Sequence, residues 1–255
     1  MNKNDIKTIQ SIDRALEVLE LFTGEESTLS ISDIAERLNL PKSSVRGIVN
    51  TLFARNFIEK SSSSGDYQLG TMLFQLGMKY TGINNIMTIS GAYMERLTFK
   101  YRQAVNVSMA IGNAISIVMR FDSTQKHLAY PSSGSLIPAH ASATGKMLLA
   151  FMDDEHREIF LGNSTYRSFT PNTITKKEKL IRELDEILKT RLGFSNEEYI
   201  LGQCSISGPI FNASGSVIAA FAVSGPADAI NAKKNEIIND IRYTSSLLSS
   251  KMGHA

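Results

Sequence analysis

The sequence lacks the features that mark secreted, disulfide-rich and membrane-spanning proteins. Its 255 residues include one cysteine, no tryptophan and six prolines. A single cysteine excludes an internal disulfide, which favours a reducing compartment. The longest apolar run, residues 217–223, is far shorter than the roughly 20 residues needed to span a membrane. The amino-terminal segment MNKNDIKTIQSID has no apolar core and does not read as a signal peptide. We expect a cytoplasmic protein with no membrane partner.

The chain also lacks an excess of either charge. It holds 27 Lys and Arg against 25 Asp and Glu, a net charge of +2, and 42% of its residues are hydrophobic, as in ordinary globular proteins. Residues 1–70 are slightly acidic, with eight basic and ten acidic side chains, yet residues 41–60 carry four basic side chains and one acidic. A generic polyelectrolyte binder would be basic throughout. The local positive charge therefore predicts a directed contact with an anion.

Two amphipathic helical patterns come before this basic segment. Ser11 is the predicted N-cap of the first helix, and its apolar residues follow at spacings of three or four, namely Ile12, Leu16, Leu19 and Phe22. Ser30 or Ser32 then caps a short second helix, which carries Asp33 in its first turn. Both helices are expected to turn their apolar faces to one core.

A sharp turn and a third helix follow in the segment AERLNLPKSSVRGIVNTL, residues 35–52. Asn39 tolerates the left-handed conformation that a tight turn between helices requires. Pro41 suits the first position of a new helix, where its missing N–H is not needed. The small Ala35 permits the close crossing of a helix-turn-helix, in which the second helix of the motif reads DNA.

The exposed side of this third helix carries polar and basic residues able to contact phosphates or base edges. The predicted DNA-binding residues are Lys42, Ser43, Ser44, Arg46 and Asn50, with Arg55 and Lys60 on backbone phosphates. Gly47 lies among them and costs about 1 kcal/mol of helix propensity relative to alanine. Either close packing or close approach of DNA would explain it.

The sequence after the third helix predicts a wing. Two short strands flank the polar stretch SSSSGD at residues 61–66, which is typical of a β-hairpin. We therefore expect a winged helix-turn-helix over residues 1–70 and a linker helix over 71–89. The alternatives are a small helical domain whose basic face is merely solvated, and a winged helix that binds protein.

Residues 90–255 have the mixed pattern of an α+β domain with an antiparallel sheet. Alternating segments joined by tight turns predict two hairpins, with strands near residues 104–110, 114–121, 204–211 and 217–223. Helices are expected near residues 142–151, 154–161, 176–191 and 229–250.

With these motifs the chain resembles the IclR family of transcriptional regulators. SLIPAHASATGKMLLAF (135–151) is similar to the family's loop-and-helix signature, and GFSNEEYILGQCSISGPIFNASGSVIAAFAVSGP (193–226) to its carboxy-terminal signature. The resemblance covers nearly the whole chain. It implies a GAF-like effector-binding domain that takes a small molecule, often an organic acid or aromatic compound, and that assembles into homodimers or homotetramers on double-stranded operator DNA.

The resemblance also implies a set of effector-binding residues. Ala143 and Thr144 match the small-residue loop, Cys204 matches the family's cysteine, and Ala129 and Ile137 match apolar wall positions. The acidic segment upstream of the cysteine departs from the family pattern, since this chain has Asn196 followed by two glutamates where relatives have a longer run with Asp residues. Asn196 is the candidate for the polar contact there.

Several residues also admit other interpretations. Cys204 with His140 suggests a nucleophilic site, although a cysteine also serves as a small apolar core residue. The backbone N–H groups of Ser142–Gly145 are suited to a carboxylate, or they begin an ordinary helix with Lys146 in solvent. The four histidines show no metal-ligand spacing.

We therefore predict a DNA-binding regulator controlled by a small effector, with no catalytic residue, cofactor or metal site. The alternatives are a metabolite-binding or Cys-dependent enzyme module whose winged helix contacts protein, and a structural oligomerisation protein.

Overall fold

The protein was analysed as a computed structural model, which describes residues 7–23, 26–77, 81–122, 131–162 and 166–254. Its contacts divide the chain into two units, Met1–Asn84 and Asn85–Ala255. The segment predicted as a linker, residues 71–89, crosses this division. Each unit is described by itself below.

The first unit is a set of short helices followed by a small hairpin. Its elements are α1 (Gln10–Glu20), a 3-10 turn (Leu21–Thr23), α2 (Ile31–Arg37), α3 (Lys42–Ala54), β1 (Ile58–Lys60), β2 (Tyr67–Leu69) and α4 (Thr71–Gly77). Val18, Ile34, Val45 and Val49 are fully buried between α1, α2 and α3 and form the centre of its core.

Helix α2 begins with a capping box. The Ser30 hydroxyl accepts the N–H of Asp33, and the Asp33 carboxylate accepts the N–H of Ser30. These two bonds satisfy N–H groups that a helix start leaves without partners. Of the two serines predicted as N-cap, the structure has Ser30.

The turn between α2 and α3 has the conformation expected from the sequence. Asn39 is left-handed with φ of 50°, and the Leu40 N–H donates to the Ala35 carbonyl at 3.0 Å. Pro41 stands at the N-cap of α3, one residue before the helix begins. The helix-turn-helix prediction is confirmed.

The predicted wing is also present. Strands β1 and β2 pair antiparallel, with Ile58 opposite Leu69 and Lys60 opposite Tyr67. Gly70 ends the hairpin and passes close to the turn that follows α3. An added Cβ at Gly70 would lie 2.3 Å from the Asn56 carbonyl oxygen, so a larger residue would clash there. The first unit is thus a winged helix-turn-helix.

Two predictions about α1 are wrong. The helix begins at Gln10 with Ile9 at the N-cap and no side-chain cap, so Ser11 is not its N-cap. Ile12 and Leu16 are 54% and 51% exposed rather than buried. Helix α1 contacts the core mainly through Val18, and the apolar residues of its first turns lie outside that contact.

The second unit is built on one six-stranded antiparallel sheet in the order β5-β4-β3-β8-β7-β6. Its strands are β3 (Ala104–Ile111), β4 (Ala114–Phe121), β5 (Leu136–Ile137), β6 (Gly193–Asn196), β7 (Gln203–Phe211) and β8 (Val217–Pro226). Helix α5 (Thr81–Tyr101) begins four residues before the division and continues into this unit. The other helices are α6 (Ala143–Phe151), α7 (Asp154–Gly162), α8 (Lys177–Thr190), α9 (Ala227–Ala232) and α10 (Lys234–Lys251). The α+β prediction with an antiparallel sheet is confirmed.

The single helix predicted at 229–250 is wrong in one respect. The chain forms α9 and α10 instead, separated at Lys233, whose φ and ψ of −115° and 18° are not helical. No glycine or proline marks this break, so residue type alone does not predict it.

The sheet is covered on both faces. Successive residues of a strand point to opposite sides, and in β7 the Ser207 hydroxyl donates to the Ala143 carbonyl of α6. An added Cβ at the next residue, Gly208, would lie 2.6 Å from Ile241 of α10. Helix α6 therefore lies on one face and α10 on the other. No helix in the described ranges is long and apolar enough to cross a membrane.

Candidate functional site

The outer face of α3 is polar, exposed and without ion-pair partners. Lys42, Ser43, Arg46 and Asn50 are all exposed, while Val45 on the opposite side is fully buried. Among the described residues, no carboxylate lies within ion-pair distance of Lys42 or Arg46. Their charge is therefore available to an external anion.

Acidic side chains of the same unit are engaged elsewhere. The Asp33 carboxylate caps α2, which lowers the pKa of this group through the hydrogen bonds with Ser30. Glu26 pairs with Arg37, and Glu59 of the wing accepts a hydrogen bond from Gln68. None of these three carboxylates is therefore paired with Lys42 or Arg46.

Gly47 lies at the edge of the exposed polar face of α3, where it also lines the apolar groove between α1 and α3. An added Cβ at this position would meet no atom within 4 Å. Packing among the described residues therefore does not require a glycine here, and close approach of DNA stays a prediction.

The other predicted DNA contacts occupy different surroundings. Arg55 at the end of α3 and Lys60 on the wing are exposed. Ser44 lies beside an open apolar groove between α1 and α3, together with Ile12 and Leu16. Ser61 is buried within the wing, where its hydroxyl bonds with that of Ser63.

The start of α6 is buried and lacks a side-chain cap. The Ser142 hydroxyl donates to the Pro138 carbonyl instead of capping the helix. Within the described residues, the N–H groups of Ala143, Thr144 and Gly145 have no hydrogen-bond partner. Their positive dipole end is thus buried without an acceptor, which is a favourable position for an anion.

A floor of small polar side chains lies on the sheet beside this helix end. The Thr144 hydroxyl donates to Ser108 at 3.0 Å, and Asn106 donates to the same Ser108 oxygen at 3.2 Å. Ser224 donates to Asn106 at 3.4 Å and accepts from Ser205 at 2.9 Å. Each of these side chains is at most 5% exposed, so the network forms a buried polar surface next to the free N–H groups.

Aromatic residues surround His140, just before α6. Its Nε2 lies 3.1 Å from the Arg167 carbonyl, and its ring contacts those of Tyr166 and Phe169. Burial lowers the pKa of His140, and the charge of Lys146 acts in the same direction. The imidazole is therefore neutral at physiological pH and holds the loop in place.

Lys146 is fully buried, so the interpretation that leaves it in solvent is wrong. Its Nζ lies 2.7 and 2.8 Å from the two Glu198 oxygens and 2.5 Å from Glu183 Oε1. The cation therefore ties α6 to α8 and to the loop after β6, and it does not contact the polar floor.

Sequence models of known families match both units. The IclR helix-turn-helix domain matches residues 11–62, and the bacterial transcriptional regulator IclR C-terminal domain matches residues 78–250. The chain belongs to the IclR family of transcriptional regulators.

Curated relatives agree with this assignment. The HTH-type transcriptional repressor AllR of Salmonella typhimurium is 28% identical over 224 residues, covering 88% of this chain and 82% of that protein. AllR of Escherichia coli K12 is 26% identical over 238 residues, covering 92% and 88%. These relatives are regulators, and the enzyme alternative is not favoured.

Solved structures share the fold. An IclR homologue from Microbacterium hydrocarbonoxydans, crystallised with 4-hydroxybenzoate, matches with a TM-score of 0.85 and 24% identity over 95% of this chain and 98% of that one. IclR of Thermotoga maritima matches with a TM-score of 0.75 and 24% identity over 97% and 100%. The two family models and the AllR relatives, together, make this IclR-family chain a DNA-binding transcriptional regulator with a carboxy-terminal ligand-binding domain.

The structure does not bring all the predicted effector residues of this IclR-family chain together. Ala143 and Thr144 form the start of α6, and Ile137 packs in the apolar core beneath that helix. By strand alternation, Cys204 and Asn196 point to the α10 face, away from Thr144. Ala129 lies outside the described residues.

Cys204 also lacks the surroundings of a nucleophile. Burial raises the pKa of its thiol, and the carboxylates of Glu197 and Glu198 act in the same direction. His140 bonds to Arg167 instead. A thiol held protonated and away from a base is a poor nucleophile, which agrees with a regulator.

Sequence reasoning missed the polar floor formed by Asn106, Ser108, Ser205 and Ser224. Its signal was present in the strands, where polar residues alternate with apolar ones as in Asn106-Val107-Ser108. Both faces of this sheet are covered, so alternation there indicates a buried polar surface rather than a solvent-facing one.

Proposed function

We propose that α3 enters the major groove of operator DNA, with Lys42, Ser43, Arg46 and Asn50 facing base edges and nearby phosphates. Exposure and the absence of ion-pair partners for the two cations among the described residues support this placement. An arginine recognises the O6 and N7 atoms of guanine through two parallel hydrogen bonds, so Arg46 is the proposed base-reading residue.

Arg55, Lys60 and the exposed wing serines are proposed to contact phosphates, which fix the orientation of α3 without reading sequence. Ser44, beside the apolar groove, is proposed as a phosphate contact at the rim of the helix. Helix-turn-helix dimers bind pseudo-palindromic sites whose half-site spacing follows protein symmetry, and we propose a cytoplasmic homodimer or homotetramer. Since the AllR relatives are repressors, we propose repression.

For the effector we propose a small organic acid whose carboxylate is held by the N–H groups at the start of α6. The observation that carries this proposal is the buried helix end with three N–H groups that have no partner among the described residues. A carboxylate complements the positive end of the helix dipole. The ligand of the Microbacterium neighbour, 4-hydroxybenzoate, has such a group.

The remaining residues are assigned by their position around this helix end. Ala143 and Thr144 are proposed to hold the carboxylate, with Ser205 on the polar floor. Ile137 and Ala129 remain proposed apolar wall residues. Asn196 and Cys204, on the other face of the sheet, are proposed to shape the loop that follows β6 without touching the ligand.

Binding is tested by calorimetry with 4-hydroxybenzoate, aliphatic mono- and dicarboxylates and the matching neutral amides. We expect an acid to bind and its amide to bind at least tenfold more weakly. Binding would turn the Thr144 and Ser205 hydroxyls from Ser108 and Ser224 to the carboxylate. Thr144→Val and Ser205→Ala should therefore each weaken binding about 10- to 100-fold, the range of one hydrogen bond to a charged group. Ser214→Ala, in an exposed turn, is the matched control.

Equal binding of an acid and its amide would contradict the carboxylate role. An acid that binds wild type, Thr144→Val and Ser205→Ala with the same affinity would place the effector elsewhere.

A further inference from the structure

The second unit also contains a polar cavity that the proposed function does not use. It has a volume of about 510 Å³ and lies among the end of α8, the end of β7 and the last turns of α10. Phe211, in its wall, contacts the ring of Phe151, the last residue of α6. The cavity and the proposed carboxylate site are thus associated with opposite ends of that helix.

Two arginines and a histidine line this cavity, and among the described residues no carboxylate neutralises the arginines. Its wall includes the guanidinium groups of Arg191 and Arg242 and the imidazole of His254, and no described Asp or Glu. Within the described residues, neither arginine has a carboxylate within 4 Å.

Two of these groups are held in place by one aromatic ring. The Arg191 guanidinium lies 5.1 Å from the centre of the Phe211 ring, and the His254 ring stacks on it at 4.9 Å and 20°. A left-handed turn at Gly253 folds the chain back, and the His254 N–H donates to the Ser249 carbonyl at 2.9 Å. Such positioning before binding reduces the entropy lost when a ligand binds.

Helix-end electrostatics explain only part of this arrangement. Arg191 caps the carboxyl end of α8, where a cation complements the helix dipole. Arg242 lies more than two turns before the last residue of α10, Lys251, where that effect is small. Hydroxyl groups also line the wall, and those of Ser246 and Ser250 make no hydrogen bond within the described part of the chain.

We infer that this cavity binds a small polyanionic metabolite, one that carries a phosphate or several carboxylates, at a site separate from the proposed effector site. Planar guanidinium groups match both anions through paired hydrogen bonds. The volume is in the range of small-molecule sites. Serine hydroxyls supply further donors to the same anion.

The test is calorimetric titration of the full-length protein, without DNA, in 0.15 M salt (about physiological, which screens exposed charges). Pyrophosphate and citrate serve as probes for the two kinds of anion. Wild type should bind at least one of them at one saturable site per chain. Arg242→Gln and Arg191→Gln should each weaken binding at least tenfold, whereas Arg182→Gln, an exposed arginine on α8, should not.

Two further variants separate this site from the others. Arg46→Ala should bind the probe as wild type does, which excludes the DNA-binding face as its site. Thr144→Val should also leave probe binding unchanged, so a failure of the proposed effector site does not affect this result. The inference is overturned if neither probe binds saturably, if Arg242→Gln binds as tightly as wild type, or if Arg46→Ala abolishes binding.

Discussion

Replacing Lys146 by methionine should make the second unit unstable in a pH-dependent manner. The Lys146 side chain is fully buried and bonds to Glu198, whose side chain is 6% exposed, and to Glu183, at 31%. Methionine fills a similar volume but leaves the Glu198 carboxylate buried without its cation. Breaking one partner of a buried ion pair costs about 3–5 kcal/mol. The Glu183 carboxylate is partly exposed to water, so the loss of its bond to Lys146 adds less to the destabilisation.

The sign of the pH dependence follows from Glu198. Burial raises the pKa of its carboxyl, and Lys146 opposes that rise. In Lys146→Met the opposition is gone, so the folded-state pKa lies further above the unfolded value. The folded state then binds an additional proton between the two pKa values, and stability falls as pH rises by at most about 1.4 kcal/mol per pH unit. The variant should be more stable at pH 5 than at pH 8.

Urea unfolding followed by circular dichroism at several pH values measures this effect. Lys146→Met/Glu198→Gln removes both charges. It should regain much of the lost free energy of unfolding and should lack most of the added pH dependence. Lys177→Met breaks an exposed pair with Glu158 and should cost at most about 1 kcal/mol. The reasoning would be refuted if Lys146→Met lowered the free energy of unfolding by less than about 1 kcal/mol, or by the same amount at every pH.

Two further predictions concern the first unit. Gly47→Ala should raise the free energy of unfolding by up to about 1 kcal/mol, because its methyl meets no atom within 4 Å, yet weaken operator binding in a mobility-shift assay. Undiminished binding would show that DNA does not approach Gly47 closely. Ser30→Ala removes the capping box and should lower the free energy of unfolding by about 1 kcal/mol; an equal loss in the control, Ser32→Ala, would contradict the cap as the cause.

The features predicted well were those with local signals. Asn39, Pro41 and the serine before α2 specify a turn and two helix starts from a few neighbouring residues. The hairpin of β3 and β4 is marked by alternation and by Gly112, whose φ is 59°. In these cases local propensity and the tertiary fold agree.

The features missed depend on contacts distant in sequence. Lys146 reads as a solvated helix residue, and its partners Glu183 and Glu198 are 37 and 52 residues away. Cys204 and its neighbour Ser205 differ by one position, yet one position decides which face of the sheet a side chain occupies. The exposure of Ile12 and Leu16 likewise depends on how much of α1 is covered by α3. The spacing of apolar residues along α1 does not determine this.

Selection of binding sites from a random DNA library tests the central claim most directly. Wild type should enrich a pseudo-palindromic sequence, and Arg46→Ala should bind it more weakly by about 1–3 kcal/mol and lose preference at one base pair of each half-site. Arg182→Ala, which removes the same charge from the second unit, should bind as wild type does. Absence of any enriched sequence, or an Arg46→Ala variant with unchanged affinity and preference, would contradict the reading of DNA by α3.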